Sequence, residues 1–284
     1  MRDLDTQSIT AEVLRRMEGM PGARLRNILA SLTEHLHAFA RDVDLTEEEW
    51  LQGIAFLTRT GHACDDRRQE FILLSDVLGL SQLVVSKAHR RIKGATEQTV
   101  FGPFHVKDAP ERPHGYDISE AAPGQRLIVE TRVETASGDP VTGALVEVWH
   151  ADTHGTYDTQ NPDWTPQRVR FRGNFRTGLD GRIRFRTIMP VSYPIPMDGP
   201  VGDYMRATRR SPYRPAHLHF RVEHAGFSTL VTHAFDELDP HLDDDAVFGV
   251  LNSTICRFEP NGGGMRLCNR LVLAPRPDTP ADQG

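Results

Sequence analysis

Residues 126–134, RLIVETRVE, carry the reading that decides the fold. Leu127, Val129, Thr131 and Val133 alternate with polar neighbours, and a period of two puts them on one face of a strand. Downstream, Asp180-Gly181 is a hairpin-turn signal. It opens a second such strand, with Ile183, Phe185 and Thr187 facing one way and Arg182, Arg184 and Arg186 the other. Two further apolar runs, Ala144 to His150 and Thr229 to Phe235, read as buried strands. Short strands separated by Pro- and Gly-rich turns, with no helices alternating between them, predict a β-sandwich rather than a parallel sheet.

Upstream of Val100 the period changes. From Ala23 to Ala40, Leu25, Ile28, Leu29, Leu32, Leu36 and Phe39 recur at helical spacing on one face. Thr46 with Glu49 three residues on is a capping box, and Trp50, Leu51, Ile54 and Leu57 form the stripe of the helix it opens, which Gly61 stops. Shorter helical patterns cover Asp65 to Leu78 and Ser81 to Arg91. No strand signal of quality precedes Val100. The expected architecture is mainly β with a helical module: an N-terminal α-helical domain over residues 1–98, then a mixed-topology β-sandwich over 99–275. The Pro- and Asp-rich residues 276–284 form a flexible tail.

Composition narrows the functions. The 284 residues are 38% hydrophobic and 25% charged, ordinary for a soluble chain that builds a real core. A net charge of −6 without a long basic run argues against nucleic acid. No apolar stretch approaches the roughly 20 residues of a membrane helix, and MRDLDTQSIT has no apolar signal region, so the cytoplasm is expected. Cys64, Cys256 and Cys268 are odd in number and widely spaced, which suits a reducing compartment and neither a disulfide framework nor a thiolate zinc site.

Thirteen histidines direct attention to metal spacing. In Arg214-Pro215-Ala216-His217-Leu218-His219-Phe220, the histidines alternate with Leu218, Phe220 and Val222. On a strand both imidazoles share a face, with residues i and i+2 about 6–7 Å apart. His35 and His37 have the same spacing on a helix, where the rings point roughly 200° apart. His150 and His154 are a weaker pair, because His150 ends a strand. Spacing alone nominates His217 and His219 and does not say which metal they hold.

Three motifs carry a resemblance. Residues 141–152, VTGALVEVWHAD, with Gly155 and Tyr157, resemble the segment presenting the first tyrosine ligand of the intradiol ring-cleavage dioxygenases. Tyr193-Pro194-Ile195-Pro196 followed by Asp198-Gly199-Pro200 resembles the segment carrying the second, and Arg214 to Phe220 the stretch bearing both histidines. The resemblance implies one Fe³⁺ per subunit held by Tyr157, Tyr193, His217 and His219. Without it nothing separates Tyr157 and Tyr193 from Tyr116, Tyr204 and Tyr213. The donor set suits the ion: phenolate is a hard anionic ligand for a hard cation, and two phenolates with a hydroxide balance its charge.

The resemblance also implies a reaction. A catechol-type ring would bind iron through both oxygens and displace Tyr193, and O₂ would split the ring between its hydroxyl-bearing carbons. Arg214 would be the catalytic cation, stabilising negative charge that builds on the ring. Phe71 to Gly79, Thr99 to Phe104 and Leu230 to Phe235 resemble the hydroxyquinol-cleaving branch, in which a histidine, here His233, stands where catechol-cleaving members carry glutamine. The implied substrate contacts are Leu73, Asp76, Val100, Phe101, Gly102, Pro103, Phe104, Ile195, Pro196, Arg214, His233 and Val247. The implied substrate is hydroxyquinol (1,2,4-trihydroxybenzene), the alternative being catechol or a chlorocatechol giving a cis,cis-muconate. Asp76, the polar member of that wall, is a candidate acceptor for the third hydroxyl. Met197, Ser211 and Thr177-Gly178 depart from the family's usual residues. Members of the family form homodimers through the N-terminal helices, sometimes around a bound lipid. Two readings rival it: a zinc hydrolase using His217, His219 and a carboxylate such as Asp152 or Asp198, and a non-catalytic β-sandwich binding module that kept the motifs by descent.

Overall fold

The computed structural model describes residues 4–89, 93–166 and 168–276. Compactness divides the chain between Arg59 and Thr60. The first unit holds α1 (Ser8–Met17), α2 (Ala23–Asp42) and most of α3 (Glu47–His62). The capping box forms as expected: Thr46 Oγ1 accepts the Glu49 N–H at 3.3 Å, and the Glu49 carboxylate accepts the Thr46 N–H at 3.0 Å. α1 is not expected from the sequence, although Ile9, Val13 and Met17 stand four apart on one face. It is fixed by tertiary bonds, with Thr10 Oγ1 3.0 Å from His37 Nδ1 and 3.1 Å from Arg41. His35 bonds the Ser31 carbonyl, so the two rings of this helical pair do part. The predicted stripe of α2 is present, but Leu25, Ile28, Leu32, Leu36 and Phe39 are 46–55% exposed.

The second unit begins with α4 (Glu70–Val77) and α5 (Leu80–Ala88), which meet at a 79° bend where Gly79 is left-handed. The helix expected from Asp65 starts five residues later. The Asp65 carboxylate accepts the N–H groups of Arg67 and Arg68, each at 2.7 Å, and this local turn competes with helix. Arg91, the expected end of the next helix, lies outside the described residues. Among the described residues no single helix is long and apolar enough to cross a membrane.

Eleven strands follow: β1 (Arg126–Glu134), β2 (Leu145–Trp149), β3 (Arg172–Arg176), β4 (Arg182–Ile188), β5 (Tyr193–Pro194), β6 (Tyr213–Arg214), β7 (His217–Glu223), β8 (Leu230–Asp236), β9 (Ile255–Cys256), β10 (Phe258–Asn261) and β11 (Gly264–Val272). Among the described residues one α-helix, α6 (Pro200–Thr208), interrupts them, and it is not expected from the sequence. The sheets run β10-β11-β1-β4 and β3-β2-β7-β8-β9, with a two-stranded ribbon β5-β6 beside them. Parallel pairing of β1 with β11 and of β8 with β9 makes the sandwich mixed, as expected. Its core is the alternating set read from the sequence: Leu127, Val129, Phe185, Val146, Leu218 and Phe220 are wholly buried between the sheets. The tail's first residues pair back, Pro275 with Phe227 and the Arg276 N–H with the Gly226 carbonyl; residues 277–284 lie outside the described set.

Candidate metal centre

Because Leu218, Phe220 and Val222 fill the core, His217 and His219 must emerge on the other face of β7, between β2 and β8. Tyr157 arrives from the loop after β2. There Asp152 turns the chain by accepting the N–H groups of His154 (2.8 Å) and Thr156 (3.0 Å). Gly155 sits at φ 76°, and a Cβ at that position would overlap the Tyr193 side chain. Tyr193 opens β5 directly opposite Arg214 of β6, so the ribbon delivers the second tyrosine and the arginine together.

Four donor atoms converge. Tyr157 Oη lies 3.0 Å from Tyr193 Oη, 2.9 Å from His219 Nε2 and 3.4 Å from His217 Nε2, and the two Nε2 atoms are 3.1 Å apart. Ligands about 2.1 Å from an ion and at right angles to one another stand about 3.0 Å apart, so the set has the dimensions of a coordination shell. All four side chains are buried. Burial pushes the Tyr157 phenol well above its ordinary value and Tyr193 upward too, though Arg214 opposes the second shift. Burial also drives the imidazoles of His217 and His219 well below theirs, helped by Arg214 at the first and by His233 and His217 at the second. The histidines are therefore neutral donors with free lone pairs, and a phenolate forms here only against a cation.

Neighbours hold the donors in place. His217 Nδ1 bonds the Pro215 carbonyl at 2.6 Å. Trp149 stacks on His219 at 4.6 Å between centroids, and Phe104 on Tyr157 at 4.3 Å. Buried Arg172 grips Asp158, next to Tyr157, and donates to the Phe104 carbonyl at 3.0 Å. Arg214 is fixed by Asp245, 3.2 Å from its Nε. Burial would lower this guanidinium, but the charges of Asp245 and the tyrosines raise it, so it stays cationic. Its Nη1 is 3.4 Å from His217 Nε2, while Nη2 has no hydrogen-bond partner among the described residues. The sequence pointed to neither Arg172 nor Asp245, since an isolated buried charge has no periodic signature.

The rival carboxylates do not join the histidines. Asp152 is used in its own turn, and Asp198 is paired with Arg68. The third imidazole near the pair is that of His233, all three offering a nitrogen within 4.8 Å of one another. His233 Nδ1 is committed to Thr99 Oγ1 at 2.5 Å. His150 is likewise committed, to Thr187 and Ala151, while His154 is exposed.

A cavity of about 1020 Å³ opens beside the donors. Its walls include Leu73, Asp76, Val100, Gly102, Pro103, Phe104, Ile195, Pro196 and Val247, with Tyr193, Arg214 and His219 at the donor end. Two of the expected contacts sit elsewhere. Phe101 is 40% exposed and packs on His105 and Trp149, and His233 lies behind the other histidines and lines a smaller cavity. Met197 does stand on the main wall, whereas Ser211 lines a separate hollow.

Residues 100–269 match the family model described as "Dioxygenase", and residues 22–96 that described as "Catechol dioxygenase N terminus". The chain belongs to the intradiol ring-cleavage dioxygenases. The dioxygenase is 52% identical to the 6-chlorohydroxyquinol 1,2-dioxygenase of Cupriavidus pinatubonensis, over 97% of this chain and 99% of that one. It is 48% identical to the hydroxyquinol 1,2-dioxygenase of Rhizobium sp. strain MTP-10005, over 87% and 83% of the two chains. Among solved structures, the hydroxyquinol 1,2-dioxygenase of Pseudomonas putida DLL-E4 superposes with a TM-score of 0.89 at 40% identity, covering 95% of this chain and 99% of that one.

Proposed function

We propose that Tyr157, Tyr193, His217 and His219 hold one ferric ion per subunit. The dioxygenase then cleaves hydroxyquinol with O₂ to 3-hydroxy-cis,cis-muconate, the enol of maleylacetate. The observation that carries this reading is the convergence of a second phenol and two neutral imidazoles, each within 3.4 Å of Tyr157 Oη, at the end of a cavity walled by Asp76. The relatives' names add the substrate class.

When bound, the ion supplies Lewis acidity that ionises the diol and draws charge from its ring. The remaining work belongs to the chain. Tyr193 Oη would hold a proton from the entering diol, since burial favours its neutral phenol. Arg214, held by Asp245 and with Nη2 unpartnered, places a fixed positive charge where the ring becomes anionic. Leu73, Val100, Ile195 and Pro196 supply an apolar wall that excludes water from the ring. Asp76, 4% exposed, is the acceptor on that wall for the third hydroxyl.

The metal donors lie in the sandwich, residues 99–275; within residues 1–98, α4 supplies Leu73 and Asp76 to the cavity wall and α2 serves assembly. The half-exposed stripe of α2 supports a homodimer, with a lipid as a further occupant of that face. Degradation of aromatic compounds in the cytoplasm is the setting such a reaction fits.

Visible spectroscopy of iron-loaded protein tests the reading, since tyrosinate bound to Fe³⁺ gives a red chromophore. Oxygen uptake with hydroxyquinol, catechol and chlorocatechols then ranks the substrates. Colourless protein without uptake overturns the proposal; a preference for catechol replaces its substrate.

A further inference from the structure

At the exposed edge of the cavity stand charged groups that the reaction does not use. Arg68, in the turn before α4, donates Nη1 and Nη2 to the two oxygens of Asp198 at 2.8 and 2.9 Å. Its Nε donates to Glu70 Oε2 at 2.9 Å. Glu70 is 1% exposed, and its other oxygen accepts the Val201 N–H at 3.0 Å in the first turn of α6. A Cβ on Gly199 would overlap both Arg68 and Glu70, so the backbone of the Asp198 segment lies directly against the pair. Arg68, Glu70 and Asp198 all line the cavity.

The two sides joined here are the two sides of the pocket. Glu70 opens the helix that presents Leu73 and Asp76; Asp198 follows the segment that carries Tyr193, Ile195 and Pro196. The far end of α4 is fixed separately, since Arg210 donates to the carbonyls of Val77 and Ala246. The mouth end is held by the Arg68 charge pairs together with the Glu70–Val201 bond, and one jaw of that grip, Asp198, is 72% exposed. An exposed ion pair is weak and screened by salt, so the grip is adjustable.

We propose that Arg68, forked between Glu70 and Asp198, is a positioning residue that sets the width of the cavity mouth and so limits the size of ring the enzyme accepts. This rests on the reading of the cavity as the substrate site of a ferric enzyme. Arg68 touches neither the donors nor the ring, and it acts through the two segments it holds together. A lysine cannot replace it, because a single ammonium cannot make the two parallel bonds to Asp198 and still reach Glu70.

Asp198→Asn is the test, since it keeps Arg68 on the buried Glu70, changes an exposed residue and leaves folding intact; Arg68→Lys is the companion. Hydrogen exchange on iron-free protein is the first measurement. Faster exchange in residues 70–77 and 199–205 together is expected for both variants, and unchanged exchange overturns the coupling. In the iron-loaded enzyme the tyrosinate band stays at the wild-type position. The kcat/KM ratio of a ring-chlorinated hydroxyquinol to hydroxyquinol rises about two- to fivefold, chiefly through KM. High salt moves the wild type in the same direction and leaves Asp198→Asn unmoved. Wild-type ratios and wild-type salt response in both variants overturn the proposal while leaving the function intact. A wild type without colour or oxygen uptake overturns the function, and this inference with it.

Discussion

At the scale of single residues, the site separates groups that bind from groups that act. Arg214 contacts the donor set at 3.4 Å but offers no lone pair, so it cannot be a ligand. Arg214→Ala is expected to keep iron and its visible band while kcat falls about 10²- to 10³-fold. Metal content, the spectrum and oxygen uptake on one preparation check this, and normal turnover removes the arginine from the mechanism. Asp76 answers a different question. Burial raises its carboxyl above the ordinary value, with Ser81 and Arg214 opposing. Asp76→Ala is expected to shrink the preference for hydroxyquinol over catechol by roughly tenfold, because a buried acceptor left unpaired penalises the ligand lacking a hydroxyl. An unchanged ratio of the two kcat/KM values removes Asp76 from specificity.

At the scale of elements, strands and turns do the placing. The turn before Tyr157 works only with glycine at its tip, where φ is 76° and Tyr193 leaves no room for a Cβ. Gly155→Ala is expected to push the two tyrosines apart, weakening iron retention and shifting the visible band, as dialysis against a chelator would report. The end of β2 predicts a pH effect. Burial pulls the His150 imidazole down to about 4, the Ala151 carbonyl offsetting part of the shift. The folded value lies below the ordinary 6.5, so the native state favours the neutral ring. That contribution is complete above about pH 6.5 and is lost as pH falls toward 4. Between pH 7.5 and 4.5 wild type should lose about 2–3 kcal/mol more unfolding free energy than His150→Asn in urea titrations. Parallel losses would place the acid sensitivity elsewhere. Elements were also where the sequence was most and least legible. β1, β4 and β7 follow from alternation, β2 and β8 from apolar runs, and α2 and α3 from helical spacing. The start of α4 does not, because a single Asp65 turn outweighed five residues of helical pattern. α1 and α6 are not expected from the sequence either; contacts with distant chain, Thr10 with His37 and Val201 with Glu70, help hold them.

At the scale of the whole molecule, the exposed stripe of α2 asks for a partner. The double change Leu32→Glu, Leu36→Glu is expected to convert a dimer into a 31.9 kDa monomer in sedimentation, with the sandwich and the iron band retained. A wild type already monomeric at micromolar concentration would leave that face to another role.

By itself the sequence determined a helical module ahead of a strand-rich one, the core faces of β1, β4 and β7, and the histidine pair, because period and i, i+2 spacing are local properties of the chain. Motif resemblance added the two tyrosines out of five. Only the tertiary structure decided that Tyr157 and Tyr193 meet within 3.0 Å, that His233 stands behind the other histidines, and that Arg68, Arg172 and Asp245 brace the site. Those contacts join residues far apart along the chain, and their energy comes from burial and charge pairing, which exist only once the sheets have packed.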